Sequence, residues 1–326
     1  MHDLDVGLIG SGSGARARLA AWLTLGARIR LYSPDGLQHR LAAAHSLHRV
    51  TAVGSLRQLL TPSSLVDVCV PVHGRYPLVR AAVRAGYDLV CELPTAPDPD
   101  EARRAADAAD AAGVHLFPAA FDRWSTAHAS LCRVLADRPA GPGTVLEFSR
   151  SAACPVRSRW FAGRGDGAGR ILLEQSVHDF DRARALAGEV VRVRAECHES
   201  EQGLPTAAAT TVLTHASGAV SRVLGRWGLP GTVTRSTVRL SGPGGLSWQH
   251  DSGPAPDGAS TAAGHPLVLL PEEHPTVAGL RAFAVATTTG RPAGITARDG
   301  VAAARIAAAA RLSARTGRDV DPSAGD

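Results

Sequence analysis

Short apolar runs alternate with helical patterns along the first 120 residues, and this alternation constrains the fold more than any other feature. The apolar runs that predict β-strands are 4–10, 27–33, 66–72, 87–93 and 114–120. Parallel neighbours need a crossover connection, and a helix usually supplies it. The sequence therefore predicts an α/β domain over residues 1–120, built on a parallel, doubly wound sheet.

The pattern changes after residue 120, where strand-like runs follow one another and one long helix, about 171–186, interrupts them. These runs are 144–152, 189–199, 208–217, 219–227 and 232–242. Consecutive strands with helical cover on one face are typical of a mostly antiparallel open sheet. We therefore predict a second α/β domain over 121–326, with the last helix, 297–315, packing back on the first domain.

Composition argues against several classes of protein. Apolar residues make up 44% and charged residues 20%, and no apolar run of about 18 residues could span a membrane. The net charge of +5 comes without a dense basic run, which argues against nucleic-acid binding. The five cysteines contain no C-x-x-C pair and the N-terminus resembles no secretion signal, so we expect a cytoplasmic protein without a metal centre.

A glycine-rich loop lies between the first predicted strand and the first predicted helix. Its residues, in a G-x-G-x-x-A motif, are Gly10, Ser11, Gly12, Ser13, Gly14 and Ala15. Small residues here let the backbone approach a pyrophosphate at a helix N-terminus. A merely tight turn is the alternative, but the position at the start of a β-α-β series favours dinucleotide binding.

The end of the second predicted strand bears on the choice of dinucleotide. NAD-binding domains usually place an acid there, which holds the ribose 2′-hydroxyl. Ser33 stands near that position, and a hydroxyl tolerates a 2′-phosphate better than a carboxylate does. The sequence therefore favours NADP(H) over NAD(H).

Four segments together resemble the Gfo/Idh/MocA oxidoreductases, the glucose–fructose oxidoreductase and inositol dehydrogenase group. They are GSGSGA at 10–15, VPVHGRYPLVRAAVRAGYDLVCELP at 70–94, GAGRILLEQSVHDFDRARALAG at 167–188 and DGVAAARIAAAARLSARTGRDV at 299–320. The resemblance runs nearly end to end. It implies an N-terminal Rossmann domain followed by a substrate-binding and oligomerisation domain.

The chain departs from this family's pattern at positions that the resemblance implies are chemical. Leu93 stands where the family's E-K-P motif has lysine, and Arg75 stands where it usually has a histidine. Glu174 and His178 match the acid and histidine of its D-x-x-x-H motif. The resemblance implies that the lysine and histidine manage the proton at a substrate hydroxyl while hydride moves to nicotinamide.

No lysine occurs anywhere in the chain, so all 35 of its Lys+Arg residues are arginines. Arginine is a poor general acid or base, whereas Glu174 and His178, four residues apart on a predicted helix, share a face. Neutral histidine exchanges a proton near pH 7, and a carboxylate can orient its ring. Asp181 is a second candidate partner. An exposed pair on a solvated helix, or a helix-packing pair, is the alternative.

Further candidates surround these motifs. Pro71, Glu92 and Pro94 lie near strand ends, where ligands bind in such sheets, and we assign them to the cofactor site. The candidates for the substrate site are Leu93, Arg75, Arg123, Trp124 and Trp160. Leu93 would offer an apolar wall, and the last three are equally well surface residues.

Arginine pairs recur at even spacing in three predicted strands of the second domain. They are Arg192 and Arg194, Arg222 and Arg226, and Arg235 and Arg239. Even spacing places each pair on one side of a sheet. A solvated face is one interpretation. The other is a homodimer or homotetramer interface, since relatives in the family commonly pair through this sheet.

These features predict an NAD(P)-dependent oxidoreductase that reduces a ketone, imine or sugar-like carbonyl of a small molecule. His178 would be the proton donor, with no catalytic lysine. The lysine-free composition is typical of a GC-rich genome, which favours specialised metabolism as the setting. A non-redox isomerase, lyase or cyclase that keeps the cofactor is the alternative, and a non-catalytic cofactor-binding regulator is a third.

Overall fold

The computed structural model describes residues 4–43, 49–61, 63–155, 169–199, 206–253, 271, 273–291 and 293–324. The chain forms two compact units. The first comprises Met1–Ser125 and Asp257–Val301, and the second comprises Thr126–Pro256 and Ala302–Asp326. A single boundary at residue 120 therefore omits the C-terminal segment that belongs to the first unit.

A six-stranded parallel sheet forms the centre of the first unit. Its strands are β1 (Asp5–Ile9), β2 (Arg28–Tyr32), β3 (Val50–Ala52), β4 (Leu65–Val68), β5 (Leu89–Cys91) and β6 (Leu116–Pro118). Their order, β3-β2-β1-β4-β5-β6, confirms the doubly wound sheet. The direction of winding reverses between β1 and β4, and ligands of such sheets bind outside the carboxyl ends of the strands at that point.

Helices separate these strands along the chain. They are α1 (Ser13–Thr24), α2 (Gln38–Ala43), α3 (Leu56–Leu60), α4 (Arg75–Arg84) and α5 (Pro99–Ala112). Helix α5 begins where the Asp98 carboxylate accepts a hydrogen bond from the Asp100 amide, and it ends at Gly113, which adopts a left-handed φ of 68°. Every residue of β4 is buried, as expected for a strand covered by helices on both faces.

Two elements of the first unit lack a clear sequence signal. Strand β3 has three residues, none of them fully buried, and α2 has only six residues. Such short, half-exposed elements carry too few apolar residues to show a period. The sequence accordingly predicts neither of them.

A second six-stranded sheet forms the centre of the second unit. Its strands are β7 (Val145–Ala153), β8 (Val190–Glu199), β9 (Ala207–His215), β10 (Val220–Gly228), β11 (Arg235–Gly242) and β12 (Leu246–Asp251). The order is β12-β11-β7-β10-β9-β8. All neighbours are antiparallel except β7 and β10, which confirms the mostly antiparallel open sheet.

Helical segments cover one face of this sheet. They are α6 (Thr126–Asp137), α7 (Gly169–Ile171), a π-helical segment (Leu172–Ser176) and α8 (Val177–Ala187). Strand β10 shows the two faces: Val223 and Trp227 are buried, whereas Arg222 and Arg226 are exposed. The predicted long helix is therefore present, but a π-helical turn lies at its centre.

Two helices complete the chain, α9 (Pro275–Thr289) and α10 (Ala297–Thr316). Only the part of α10 up to Val301 falls in the first unit, where Arg298 forms ion pairs with Asp107 and Asp110 of α5. The rest belongs to the second unit, where Ser313 accepts a hydrogen bond from the amide of Ala195. The division of α10 differs from the predicted packing of the whole helix on the first domain. None of the helices described is long and apolar enough to cross a membrane.

Candidate cofactor loop and acid–base pair

The glycine-rich loop joins β1 to the start of α1, and its glycines serve different purposes. A Cβ on Gly10, whose φ is +143°, would collide with the carbonyl oxygen of Cys69. A Cβ on Gly14 would lie 2.9 Å from the Cys69 sulfur. A Cβ on Gly12, which caps α1, would meet no protein atom within 4 Å. Packing therefore explains Gly10 and Gly14, whereas Gly12 leaves open space at a helix N-terminus, where anions bind.

Asp35 is a loop contact that the sequence analysis missed. It lies three residues after β2, and its carboxylate accepts hydrogen bonds of 2.6 Å from the hydroxyls of both Ser11 and Ser33. Burial pushes the pKa of Asp35 upward, but these two bonds and one from the Leu37 amide hold the pKa below its ordinary value. An ionised carboxylate therefore lies beside the glycine-rich loop.

A buried charge cluster, Arg18–Asp67–Glu92, lies one turn further along α1. The Arg18 guanidinium donates to Asp67 of β4 and to Glu92, which follows β5, at 2.6 Å each. The Trp22 indole donates to the other oxygen of Asp67 at 2.8 Å, and the ring of Phe121 lies 4.6 Å from the Arg18 guanidinium carbon. The cluster joins α1 to the two strands that follow the reversal point.

Burial and ion pairing act in opposite directions on the pKa values of this cluster. Burial opposes the charged form of Arg18, but Asp67 and Glu92 together raise its pKa above the ordinary value. Burial raises the pKa of Asp67, and the bonds from Arg18 and Trp22 offset this only in part. The Glu92 side chain is the least enclosed member, at 18% exposure.

Arg75 and Leu93, two predicted substrate contacts, are both buried. Arg75 donates to the backbone carbonyls of Val70 and Pro94, at 2.8 Å each, and so joins the chain after β4 to the chain after β5. Leu93 is fully buried, and its peptide bond to Pro94 is cis. Pro71, another candidate for the cofactor site, precedes the short helical turn Val72–Gly74.

Arg123 and Trp124 lie in a 3₁₀ turn (Phe121–Trp124) after β6. Trp124 packs edge-on against Phe283 of α9, with ring centroids 5.2 Å apart. Arg123 forms an ion pair with Asp299 at 3.3 Å. Both side chains are therefore held within the first unit and are partly exposed. Trp160 lies outside the described residues.

Glu174 and His178, in the second unit, are set apart by their exposure. Within 171–183 every residue except these two is buried. Glu174 lies in the π-helical segment and His178 follows in α8. These two side chains are therefore the partly exposed ones of an otherwise buried helical stretch. Asp181, the other predicted partner, is a buried residue of α8, with 1% of its surface exposed. π-Helical turns are frequent at functional sites.

Among the residues that the structure describes, no three or more His, Cys, Asp or Glu side chains form a group that could hold a metal ion. The candidate chemistry of the described residues therefore rests on three features. These are the open helix end at Gly12, the carboxylate of Asp35, and the partly exposed Glu174–His178 pair.

Comparison with known families gives two matches. Residues 4–120 match the model of the Gfo/Idh/MocA oxidoreductase family with its NAD-binding Rossmann fold. Residues 138–245 match the Gfo/Idh/MocA C-terminal domain. The first match covers the glycine-rich loop and the Arg18–Asp67–Glu92 cluster, and the second covers the Glu174–His178 pair.

Individual relatives agree with these matches. A D-apiose dehydrogenase from Paraburkholderia graminis is 30% identical over 66% of this chain and 58% of its own length. An inositol 2-dehydrogenase 4 from Saccharopolyspora erythraea is 26% identical over 58% of this chain and 56% of its own length. The chain thus spans less than two thirds of either relative.

A solved structure gives the same fold. An oxidoreductase from Agrobacterium radiobacter, crystallised in complex with NAD+, L-tartaric acid and magnesium, has a TM-score of 0.77. It is 22% identical, and the match covers 98% of this chain and 99% of that one. At this identity the likeness is one of fold.

Proposed function

Because the chain belongs to the Gfo/Idh/MocA oxidoreductase family, we propose that it is a nicotinamide-dependent oxidoreductase acting on a sugar-like or polyol substrate. The first unit binds the dinucleotide, and the Glu174–His178 pair of the second unit exchanges the proton at the substrate oxygen. The relatives named for D-apiose and inositol support this substrate class.

The observation that carries the proposal is the isolated exposure of Glu174 and His178 in a helix whose other residues from 171 to 183 are buried. A pair that served packing would be enclosed like its neighbours, and a solvated helix would expose more than these two positions. An imidazole next to a carboxylate can take or give a proton near neutral pH.

The residues of the first unit fit a dinucleotide. Gly12 leaves the N-terminus of α1 open for a pyrophosphate, and Asp35 presents a carboxylate beside the loop. A bound nicotinamide ring would accept or deliver the hydride. The protein then has to supply only the proton and the alignment of the substrate.

Asp35 changes the expected cofactor preference. Ser33 alone favours NADP(H), but the Asp35 carboxylate, held by Ser11 and Ser33, would repel a 2′-phosphate and accept a hydrogen bond from a ribose 2′-hydroxyl. We therefore propose NAD(H) as the preferred cofactor, in place of the NADP(H) that Ser33 suggests.

Fluorescence titration with NADH and NADPH tests this preference. Asp35→Asn removes the charge but keeps the shape, and it should lower the ratio of NADH to NADPH affinity by about tenfold, since a hydrogen bond to a charged group contributes about 1.5–3 kcal/mol. Asp100→Asn, an exposed acid in the first turn of α5, is the matched control. Tighter binding of NADPH than NADH by the wild type would contradict the proposal.

The proton step uses His178 without a lysine. His178 gives a proton to the substrate oxygen when a carbonyl is reduced and takes it back when an alcohol is oxidised, and Glu174 orients the imidazole. Leu93 has no proton to give. An imine would need less help than a ketone, because it is basic and is already protonated in part.

Turnover with NAD+ and the substrates of the named relatives, inositol and D-apiose, together with related polyols and aldoses, tests the assignment. His178→Ala should lower kcat by about 10²–10⁴-fold, the usual contribution of a general acid or base. His198→Ala removes a surface histidine from β8 and should leave kcat unchanged. Full activity of His178→Ala would refute the role of His178.

The buried Leu93 favours a second candidate, a non-redox isomerase, lyase or cyclase. A fully buried hydrocarbon where the family has lysine removes one of its two proton-handling groups. The absorbance of reduced nicotinamide separates the two functions. Net change of that absorbance in step with product supports an oxidoreductase, and product without net change supports the alternative.

We also propose that the chain forms a homodimer or homotetramer through the open face of the second sheet. Arg222, Glu147 and Arg239 lie side by side on that face, with the partly exposed Leu224 one step along β10. Arg222 and Glu147 form an ion pair at 3.5 Å, so the face offers both signs of charge to a second copy.

Analytical ultracentrifugation tests this interface. Leu224→Glu should dissociate the assembly, because it places a carboxylate on the apolar part of the face. Leu312→Glu, at an exposed position of α10, is the control. A wild-type monomer would overturn the interface. A cytosolic location and a role in specialised metabolism stay predictions from the sequence.

A further inference from the structure

Arg150 of β7 contacts both residues that immediately follow the members of the acid–base pair. Its backbone carbonyl accepts a hydrogen bond of 3.0 Å from the side chain of Gln175, the residue after Glu174. Its guanidinium binds Asp179, the residue after His178. One strand residue thus holds the helix at two points, one beside each member of the pair.

The contact with Asp179 is bidentate. Nε of Arg150 donates to one carboxylate oxygen at 3.1 Å, and Nη2 donates to the other at 2.9 Å. The Asp179 side chain is 2% exposed, and that of Arg150 is 19% exposed. Two parallel bonds fix direction as well as distance, so this contact sets the rotation of α8 about its axis.

The π-helical segment packs closely on the sheet at Gly225 of β10, which has no side chain. A Cβ at that position would lie 2.8 Å from the Ser176 hydroxyl and 3.3 Å from the Gln175 amide nitrogen. The segment therefore approaches the strand more closely than any side chain would allow. This close approach brings Gln175 within reach of the Arg150 carbonyl.

Arg182, on the next turn of α8, is a second arginine that contacts Asp179. Its guanidinium lies 3.7 Å from the Asp179 carboxylate and 5.3 Å from the centroid of the Phe148 ring of β7. Asp179 is therefore a buried carboxylate between two guanidiniums. Each of these contacts lies on the enclosed side of the helix, so Glu174 and His178 are left on its accessible side.

We propose that Arg150 is a positioning residue for the Glu174–His178 pair. It acts through Gln175 and Asp179, by holding the π-helical turn and the start of α8 in one register. The inference rests on the proposed function, because it assigns a purpose to the register only if the pair carries the proton. Displacement of a catalytic group by about 1 Å can lower the rate by about 10²-fold.

Kinetics of Arg150→Met and Arg150→Lys with NAD+ and the most active polyol or aldose substrate test the proposal. Arg150→Met should lower kcat by about 10- to 100-fold while the affinity for NADH stays within about twofold. Arg150→Lys keeps one charge near Asp179 and should recover part of kcat. A merely structural role would lower the active fraction and leave the kcat of the folded fraction unchanged.

Arg184→Met is the matched control. Arg184 lies on the same helix and makes the same kind of bidentate contact, with Glu189 at 2.6 and 3.0 Å, but beyond the pair. It should have wild-type kcat. Gln175→Met, which removes the other contact with little change in volume, should lower kcat in the same direction as Arg150→Met even if the latter folds poorly.

The rate at which diethyl pyrocarbonate modifies His178, measured by peptide mass spectrometry, needs no substrate. Loss of register in Arg150→Met should change this rate at least about threefold relative to the wild type and Arg184→Met. His215, which is 2% exposed, is the internal standard for the fold. Unchanged modification and unchanged kcat in both Arg150→Met and Gln175→Met would overturn the positioning role.

The two proposals fail differently. If His178→Ala lacks activity but both Arg150→Met and Gln175→Met have wild-type kcat, the proposed function stands and the positioning role is wrong. If His178→Ala is fully active, both are wrong, because the pair then exchanges no proton and its position has no catalytic purpose.

Discussion

Each unit has a buried arginine–aspartate contact next to its candidate functional segment, but the ratio of guanidiniums to carboxylates is reversed between the two. In the first unit one guanidinium, Arg18, lies between two carboxylates, Asp67 and Glu92. In the second unit one carboxylate, Asp179, lies between two guanidiniums, Arg150 and Arg182. The two clusters therefore use the same type of interaction with the opposite ratio of acidic to basic groups.

The difference in enclosure is as informative as the difference in sign. Arg18 and Asp67 form a contact whose side chains are 3% and 0% exposed, whereas the bidentate contact of Asp179 is made with Arg150, whose side chain is 19% exposed. A fully buried charge that loses its partner cannot reach water, whereas a partly exposed one can. The first cluster should therefore decide stability, and the second should decide the geometry of the pair above it.

The largest expected effect is that of Arg18→Met, which leaves Asp67 and Glu92 without their guanidinium. Breaking a buried pair from one side typically costs about 3–5 kcal/mol in the free energy of unfolding. Urea denaturation followed by circular dichroism should show a loss of this size, and NADH binding should weaken with it because α1 carries the glycine-rich loop.

Two further variants sharpen this result. Arg28→Met breaks the exposed contact with Asp5 in the same unit and should cost no more than about 1 kcal/mol. Arg18→Met combined with Asp67→Asn removes one stranded charge and should recover part of the loss. A double variant no more stable than Arg18→Met would show that the cost is one of packing.

Asp179→Asn should have a smaller effect on stability and a larger relative effect on turnover. Arg150 can turn toward water once the carboxylate is neutral, so we expect a loss of about 1.5–3 kcal/mol, the value of hydrogen bonds to a charged group. Urea denaturation and kcat measured on the same samples check this. An Asp179→Asn loss exceeding that of Arg18→Met would break the comparison between the clusters.

Gly14→Ala and Gly12→Ala separate packing from ligand contact within the first unit. The Gly14 methyl would press on the buried Cys69 sulfur at 2.9 Å and should cost about 1–3 kcal/mol of stability. The Gly12 methyl would meet nothing, so stability should change by no more than about 1 kcal/mol. NADH affinity, measured by fluorescence titration, should still fall in Gly12→Ala. Unchanged affinity there would place the pyrophosphate elsewhere.

The contrast between the units also shows what the sequence can predict. Apolar runs located ten of the twelve strands, because a buried strand needs an unbroken or alternating apolar pattern whatever its partners are. The two strands missed are β3, which is only three residues long, and β12, an edge strand whose burial pattern shows no fully buried residue. The Glu174–His178 pair was identified from helical spacing together with the family resemblance.

The charge clusters could not be predicted in the same way. Arg18 meets Asp67 and Glu92 across 49 and 74 residues of chain, and Arg150 meets Asp179 across 29. Nothing local distinguishes these residues from solvated charges, since ion pairs between distant elements leave no period in the sequence. Asp35 was missed for a related reason: its contact with Ser11 exists only once β1 and β2 are side by side.

The smallest effect we predict concerns His215 of the second unit and pH. Both ring nitrogens lie within hydrogen-bond distance of protein atoms, the Gly188 carbonyl at 2.7 Å and the Ser221 hydroxyl at 2.8 Å. Burial lowers the pKa of His215, with the Gly188 carbonyl and Glu189 acting in the opposite direction. The unfolded chain therefore binds a proton more readily than the folded one.

The sign of the pH effect follows from that difference. The contribution of His215 to stability is fully present above the unfolded pKa of about 6.5 and is lost as the pH falls toward the lower folded value. Burial also lowers the pKa of His274, which caps α9 in the first unit, so His274→Gln serves as the comparison between units. Urea denaturation at about pH 7.5 and about pH 5.5 should show a smaller pH-dependent loss in His215→Gln than in the wild type. An equal loss in His215→Gln and wild type, with a smaller one in His274→Gln, would assign the acid sensitivity to the first unit instead.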